Sequence, residues 1–84
     1  MEITVRLFAV LREAAGTERV RLSIGQPLTA RAAFEALCRE YPQLQKYQPI
    51  LTFAVNGEYR SAETLLHDGD ELALIPPISG GADG

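Results

Sequence analysis

Residues 29–42 read TARAAFEALCREYP, and this stretch carries the main helical pattern of the chain. Thr29 can cap the helix, because its hydroxyl can accept a hydrogen bond from the first turn, and Pro42 ends it. Apolar side chains recur between them at helical spacing, at Ala30, Ala33, Phe34, Leu37, Cys38 and Tyr41. The stretch therefore predicts one amphipathic helix.

Two strands are predicted before this helix. Polar and apolar residues alternate over residues 2–8 (EITVRLF), with Ile3, Val5 and Leu7 on one face and Phe8 on the other. A short segment of helical propensity at residues 12–17 (REAAGT) is cut off by its glycine. Alternation then resumes at Arg19–Ser23, so the two strands are joined by a compact connection.

Three further strands are predicted after the helix. Residues 44–49 are irregular and polar, and residues 51–55 (LTFAV) are rich in strand formers. Asn56-Gly57 predicts a tight hairpin into a short strand at residues 58–60, followed by a one-turn helix near residues 62–66. Residues 67–70 (HDGD) predict a turn into the last strand, Glu71–Ile75. The order β-β-α-β-β-β predicts an α+β protein of the β-grasp (ubiquitin-like) class, with one mixed sheet and the helix packed across one face.

Composition narrows the classes of function. A chain of 84 residues has room for one domain, and its hydrophobic fraction of 46% is that of a soluble globular protein. A net charge of −3 argues against nucleic-acid binding and favours an electropositive protein partner. The single cysteine, Cys38, excludes an internal disulfide and a multi-cysteine metal site. No export signal and no membrane span are predicted, so we expect a cytoplasmic protein.

The carboxyl-terminal end predicts a tail. Pro76 and Pro77 cannot donate to a strand ladder, so we expect the folded domain to cover residues 1–77 and a flexible tail to cover residues 78–84. The tail carries Gly80-Gly81. Because glycine has no Cβ, such a pair suits a backbone that is threaded through a narrow channel into an active site.

Several motifs together carry a resemblance to a known family. They are LFA at 7–9, LRE at 11–13 with Gly16, AVNG at 54–57, DGDE at 68–71 and PPISGG at 76–81. Each is common alone, but in this order the chain resembles the small, sulfur-carrying subunits of molybdopterin synthase. Thiamine sulfur carriers and ubiquitin-related modifiers that thiolate tRNA share the fold and the tail, usually without the Pro-Pro-Ile/Val-Ser-Gly-Gly form.

The resemblance implies a carrier and not an enzyme by itself. A terminal glycine carboxylate, here that of Gly81 next to Gly80, would be adenylated with ATP by an E1-like (MoeB-type) adenylyltransferase and converted to a thiocarboxylate. The large subunit of molybdopterin synthase, in a 2:2 heterotetramer, would supply most catalytic groups while the thiocarboxylate attacks cyclic pyranopterin monophosphate. No bound cofactor and no metal are implied.

One departure from the family pattern is that Ala82-Asp83-Gly84 follows Gly81, so the Gly81 carbonyl is locked in an amide. Our hypothesis is that these residues are removed before use. The alternatives are residues added in cloning, a remnant of a fusion to the large subunit, and an unprocessed, inactive carrier.

The predicted topology also suggests a docking face. If Ile3, Val5 and Leu7 face the helix, Phe8 points to the open side of the sheet, and a last strand beside the first would place Ile75 near it. We expect Phe8 and Ile75 to anchor the large subunit. Pro76 and Pro77 would steer the tail, and the tail residues Ile78 and Ser79 would add contacts.

Other residues have structural interpretations. Cys38 is interpreted as a core thiol, His67 as a solvated turn residue, and Asp68, Asp70 and Glu71 as turn and edge residues that could also form a charged rim for the activating enzyme. Two other functions stay open: a ubiquitin-like protein modifier or a carrier for tRNA thiolation or thiamine, and an interaction domain without sulfur chemistry. Lys46 is the only lysine, so self-conjugation could use only Lys46 or the amino terminus.

Overall fold

The computed structural model describes residues 1–77 and contains a five-stranded sheet in the order β2-β1-β7-β4-β5. Strands β1 and β7 are parallel, and the other neighbours are antiparallel, so the sheet is mixed. Its strands are β1 (Glu2–Leu7), β2 (Arg19–Ser23), β4 (Thr52–Val55), β5 (Glu58–Arg60) and β7 (Glu71–Ile75). A short helix α1 (Val10–Ala15) joins β1 to β2, and the main helix α2 (Ala30–Glu40) follows β2. The predicted β-grasp fold is confirmed.

The centre of the sheet is the pairing of the first strand with the last. The parallel register places Val5 beside Leu72 and Leu7 beside Leu74, and all four side chains are buried. Their alternation with polar residues makes one face of both strands apolar, which is why they share one core under α2. The predicted neighbourhood of the first and last strands is correct.

Helix α2 begins and packs as its sequence predicts. Thr29 Oγ1 accepts a hydrogen bond of 3.0 Å from the Ala32 N–H, which satisfies a donor of the first turn. The helix buries Ala30, Ala33, Phe34 and Leu37. Phe34 meets Phe53 of β4 edge to face, with ring centroids 6.5 Å apart. This contact fixes the helix over the middle of the sheet.

The segment after α2 differs from the prediction. Residues 44–49 were expected to be irregular, but a 3₁₀ helix covers Pro42–Ile50. Leu44 is completely buried, and its N–H donates to the Tyr41 carbonyl at 3.0 Å. A single apolar anchor among polar residues gives no periodic signal, yet it is enough to hold a tight helix against the core.

The predicted one-turn helix near residues 62–66 is also wrong. A turn leads instead into β6 (Leu65–Leu66), which pairs antiparallel with β3 (Leu28–Thr29). The carbonyls of Ala62 and Thr64 accept the N–H groups of Arg31 and Ala30, each at 2.9 Å. These carbonyls satisfy donors at the start of α2, so they are not available to a local helix.

The predicted hairpin after β4 is confirmed. Asn56 and Gly57 both have positive φ, 51° and 86°, as a two-residue hairpin turn with the favoured twist requires. Strand β5 returns from this turn as an edge of the sheet. Within residues 1–77, no helix is both long and apolar enough to cross a membrane.

Candidate functional site

The end of β7 is where the chain leaves the sheet. Ile75 makes the last pair of the strand, with Thr52 of β4, and it is half-buried on the face away from α2. Pro76 is buried and Pro77 is exposed. Because neither proline has an N–H to donate, the ladder stops here, as predicted. The predicted site residues Ile78, Ser79, Gly80 and Gly81 lie outside the described residues.

A shallow groove lies beside this exit. It has a volume of about 330 Å³ and is lined by Thr52, Tyr59, Ile75, Pro76 and Pro77. Tyr59 is 74% exposed, which is a large aromatic surface to leave in water. The groove brings together three of the predicted partner-binding residues, Ile75, Pro76 and Pro77.

Tyr59 was missed in the sequence because strand β5 is too short to show a pattern. Its place follows from the hairpin: counting back from the Asn56-Gly57 turn, Tyr59 pairs with Ala54. Ala54 is buried but does not belong to the core under α2, so the pair faces the open side of the sheet. An aromatic two residues after an Asn-Gly turn was the available signal.

Phe8 lies at the same end of the sheet as Ile75. Leu7 pairs with Leu74, so Phe8 and Ile75 are the next positions of the two neighbouring strands. The chain then turns, with Ala9 at φ 53°, and the Phe8 carbonyl accepts the Leu11 N–H at 3.0 Å. Both side chains are half-buried and less open than expected. For Phe8 one reason is that the Arg6 guanidinium carbon lies 5.1 Å from its ring centroid.

The acidic turn before β7 is structural. Asp70 accepts hydrogen bonds from the Asn56 side-chain amide (3.0 Å) and from the His67 N–H (2.8 Å). These bonds, the one from Asn56 first, lower the pKa of the Asp70 carboxyl. Asp68 Oδ1 accepts the Glu2 N–H at 2.7 Å. This geometry supports the interpretation of Asp68 and Asp70 as turn residues.

Cys38 is half-buried and packs against the core from α2. Burial, and secondarily the charge of Glu35, raises the pKa of the Cys38 thiol. A raised pKa keeps the thiol protonated and a poor nucleophile, which supports the interpretation as a packing residue. Within residues 1–77, no group of three or more His, Cys, Asp or Glu side chains is arranged to hold a metal ion.

Known proteins resemble this chain over most of its length. The family model described as "ThiS family" matches residues 5–81. The molybdopterin synthase sulfur carrier subunit of Arabidopsis thaliana is 36% identical over 81 residues, covering 96% of this chain and 84% of that protein. The protein of the same name from Chlamydomonas reinhardtii is 35% identical over 83 residues, covering 96% and 100%. The crystal structure of SAMP1 from Haloferax volcanii superposes with a TM-score of 0.84 at 32% identity, covering 96% of this chain and 100% of that one.

Proposed function

The chain belongs to the ThiS family, and we propose that it is the sulfur carrier subunit of a molybdopterin synthase. The observation that carries this proposal is the family match, which runs from within β1 to Gly81. Two relatives with the carrier-subunit name align with 96% of the chain at 35% and 36% identity. The groove at the end of β7 supports it, because a carrier needs a partner surface beside its reactive tail.

The proposed chemistry takes place on the Gly81 carboxylate. An E1-like adenylyltransferase joins the carboxylate to the AMP part of ATP and releases pyrophosphate. A sulfur nucleophile then displaces AMP, so that one carboxylate oxygen is replaced by sulfur. The resulting thiocarboxylate is the nucleophile that delivers sulfur to cyclic pyranopterin monophosphate. The carrier acts as a reagent, and the large subunit supplies most of the catalytic groups.

A hydrolysis must come first. Gly81 is followed by Ala82, so its carbonyl is part of a peptide bond and cannot be adenylated. We propose that water is added across the Gly81–Ala82 bond by a peptidase, leaving a carboxylate on Gly81 and a free amine on Ala82. Four residues span at most about 14 Å. The peptidase must therefore work within that distance of Pro77, close to the folded domain.

The partner surface is proposed to be the groove together with Phe8. Tyr59 and Ile75 offer an exposed aromatic ring beside a half-buried aliphatic side chain, the kind of pair that dominates binding energy at interfaces. Pro76 is buried and sets the direction of the chain as it leaves. We propose that the large subunit covers Phe8, Tyr59 and Ile75 in a 2:2 heterotetramer and receives the tail, including Ile78 and Ser79.

A second candidate function is protein modification. The observation that favours it is the similarity to SAMP1, since a protein from the same organism that is 36% identical to this chain is named small archaeal modifier protein 1. In that case the activated Gly81 carboxyl would form an isopeptide bond with a lysine of another protein. The sole lysine of this chain, Lys46, is exposed, so chains of the modifier would have to grow through it or through the amino terminus.

One experiment separates the two candidates. A carrier ending at Gly81 with a thiocarboxylate is mixed with the large subunit and cyclic pyranopterin monophosphate, and the dithiolene product is measured. The proposed function predicts that two carriers are consumed for each molybdopterin formed. No product, together with lysine conjugates in cells that express the chain, would instead favour the modifier.

A further inference from the structure

The open face of the sheet carries two arginines directly opposite each other. Arg6 of β1 pairs with Arg19 of β2 in the antiparallel register. Their neighbours Val5 and Val20 are buried in the core, so both arginines are on the face away from α2. Like charges at opposite positions of neighbouring strands destabilise a sheet. This pairing is therefore unfavourable in the isolated protein.

Neither guanidinium has a carboxylate partner among residues 1–77, although nearby arginines do. Arg21 pairs with Glu2 at 3.6 Å, and Arg12 pairs with Glu18 at 3.9 Å. Arg6 instead lies over the Phe8 ring. A chain with a net charge of −3 thus presents a local positive charge at this place.

These arginines are continuous with the proposed partner surface. Arg6 contacts Phe8, and on its other side it pairs with Ala73 of β7, which in turn pairs with Ala54 of β4. Tyr59 follows Ala54 across the sheet. Because the two alanines are short, a partner seated on Tyr59 can reach across this row to the guanidinium groups.

We propose that Arg6 and Arg19 together bind an aspartate or glutamate side chain of the large subunit. This inference rests on the proposed function and adds a polar contact to its docking surface. A carboxylate between the two guanidinium groups would accept charge-assisted hydrogen bonds from both and would remove their mutual repulsion. The repulsion in the free protein thus becomes an attraction that exists only in the complex.

The test compares two single charge reversals, R19E and R39E. Arg39 is exposed on α2, on the other side of the sheet, and it has no ion pair among the described residues. Both variants change the net charge by the same amount. We expect R19E to weaken binding of the large subunit, measured by titration calorimetry, by about tenfold or more, because it places an acid opposite an acid. R39E should change the dissociation constant by less than about twofold, as an exposed charge outside the contact does.

A second variant, R19Q, removes the charge without adding an acid. It should keep the unfolding midpoint of the wild type or raise it, and it should still bind more weakly. Equal losses for R19E and R39E, or wild-type affinity in R19E and R19Q, would overturn the carboxylate contact alone. If the wild type itself failed to bind the large subunit, the proposed function would fall and this inference with it.

Discussion

The side chain of Asn56 is hydrogen-bonded to that of Asp70 and thereby joins the β4–β5 turn to the turn before β7. Its amide donates to Asp70 Oδ1 at 3.0 Å, and its own oxygen accepts the Glu71 N–H at 2.9 Å. The Asn56 N–H donates to the Glu71 carbonyl at 2.8 Å. The strand that delivers the tail is thus fixed at its start by a turn on the neighbouring strand.

Replacing Asn56 tests this connection. N56A removes two side-chain hydrogen bonds and places alanine at φ 51°, so we expect a loss of about 1–3 kcal/mol in the free energy of unfolding. N56G tolerates the positive φ and loses only the side-chain bonds, so it should lose less. Urea unfolding followed by circular dichroism measures both. Equal stability of N56A and the wild type would contradict a structural role for the bond to Asp70.

The lowered pKa of Asp70 predicts a pH dependence of stability. The pKa of this carboxyl is lower in the folded than in the unfolded protein, so its stabilisation is present at neutral pH. It is lost as the pH falls from the unfolded value, about 3.9, through the folded value. We expect D70N to be less stable than the wild type at pH 7 and to show a smaller difference from it at the acidic end of this range.

The control for this titration is E13Q. Glu13 is an exposed residue of α1 without an ion pair among the described residues. Its variant should follow the unfolding midpoint of the wild type across the same pH values. A D70N variant whose deficit stayed constant from neutral to acidic pH would show that the Asp70 charge is not responsible.

Leu65 and Leu66 form a matched pair for testing β6. Leu66 is completely buried and Leu65 is 54% exposed. L66A should lower the free energy of unfolding by about 2–5 kcal/mol through lost burial and a cavity. L65A should cost less than about 0.5 kcal/mol, as exposed substitutions do. A larger loss for L65A than for L66A would contradict the strand and its facing.

The docking groove predicts a loss of partner affinity without a loss of fold. Y59A truncates an exposed ring, so its unfolding midpoint should stay close to that of the wild type. Its affinity for the large subunit should fall by about tenfold or more, as for an aromatic anchor. I50A is the control, because Ile50 is 50% exposed and does not line the groove. Equal effects of Y59A and I50A would place the interface elsewhere.

Phe8 gives a second test of the same surface. F8A should weaken the complex with the large subunit, and because Phe8 is half-buried it should also lower the unfolding midpoint modestly. Surface plasmon resonance at a temperature where F8A is fully folded separates the two effects. Unchanged affinity in folded F8A would remove Phe8 from the interface.

Much of the fold was predictable because its signals are local. The strands Arg19–Ser23 and Glu71–Ile75 alternate, Thr29 caps α2, and Asn56-Gly57 sets a hairpin whose twist admits few alternatives. The pairing of Leu28 with Leu66 was not predictable, since two-residue strands have no periodicity and their partners are distant in the chain.

The candidate site was only partly predictable for a similar reason. Ile75, Pro76 and Pro77 follow a strong strand pattern, so their place at its end could be foreseen. Tyr59 gained its importance from the sheet, which brings a separate edge strand beside the tail exit. The Arg6–Arg19 pairing likewise depends on register, which sequence alternation leaves open by whole two-residue steps.

Intact-mass spectrometry of two chains, one ending at Gly81 and one at Gly84, tests the proposed carrier role most directly. Each is incubated with an E1-like adenylyltransferase, ATP and a sulfide donor. We predict that the chain ending at Gly81 gains AMP and then exchanges one oxygen for sulfur, whereas the longer chain stays unmodified until a peptidase removes the residues after Gly81. A chain ending at Gly81 that is never adenylated would contradict the proposed function. Modification of the intact longer chain at Gly84 would contradict the role of Gly81.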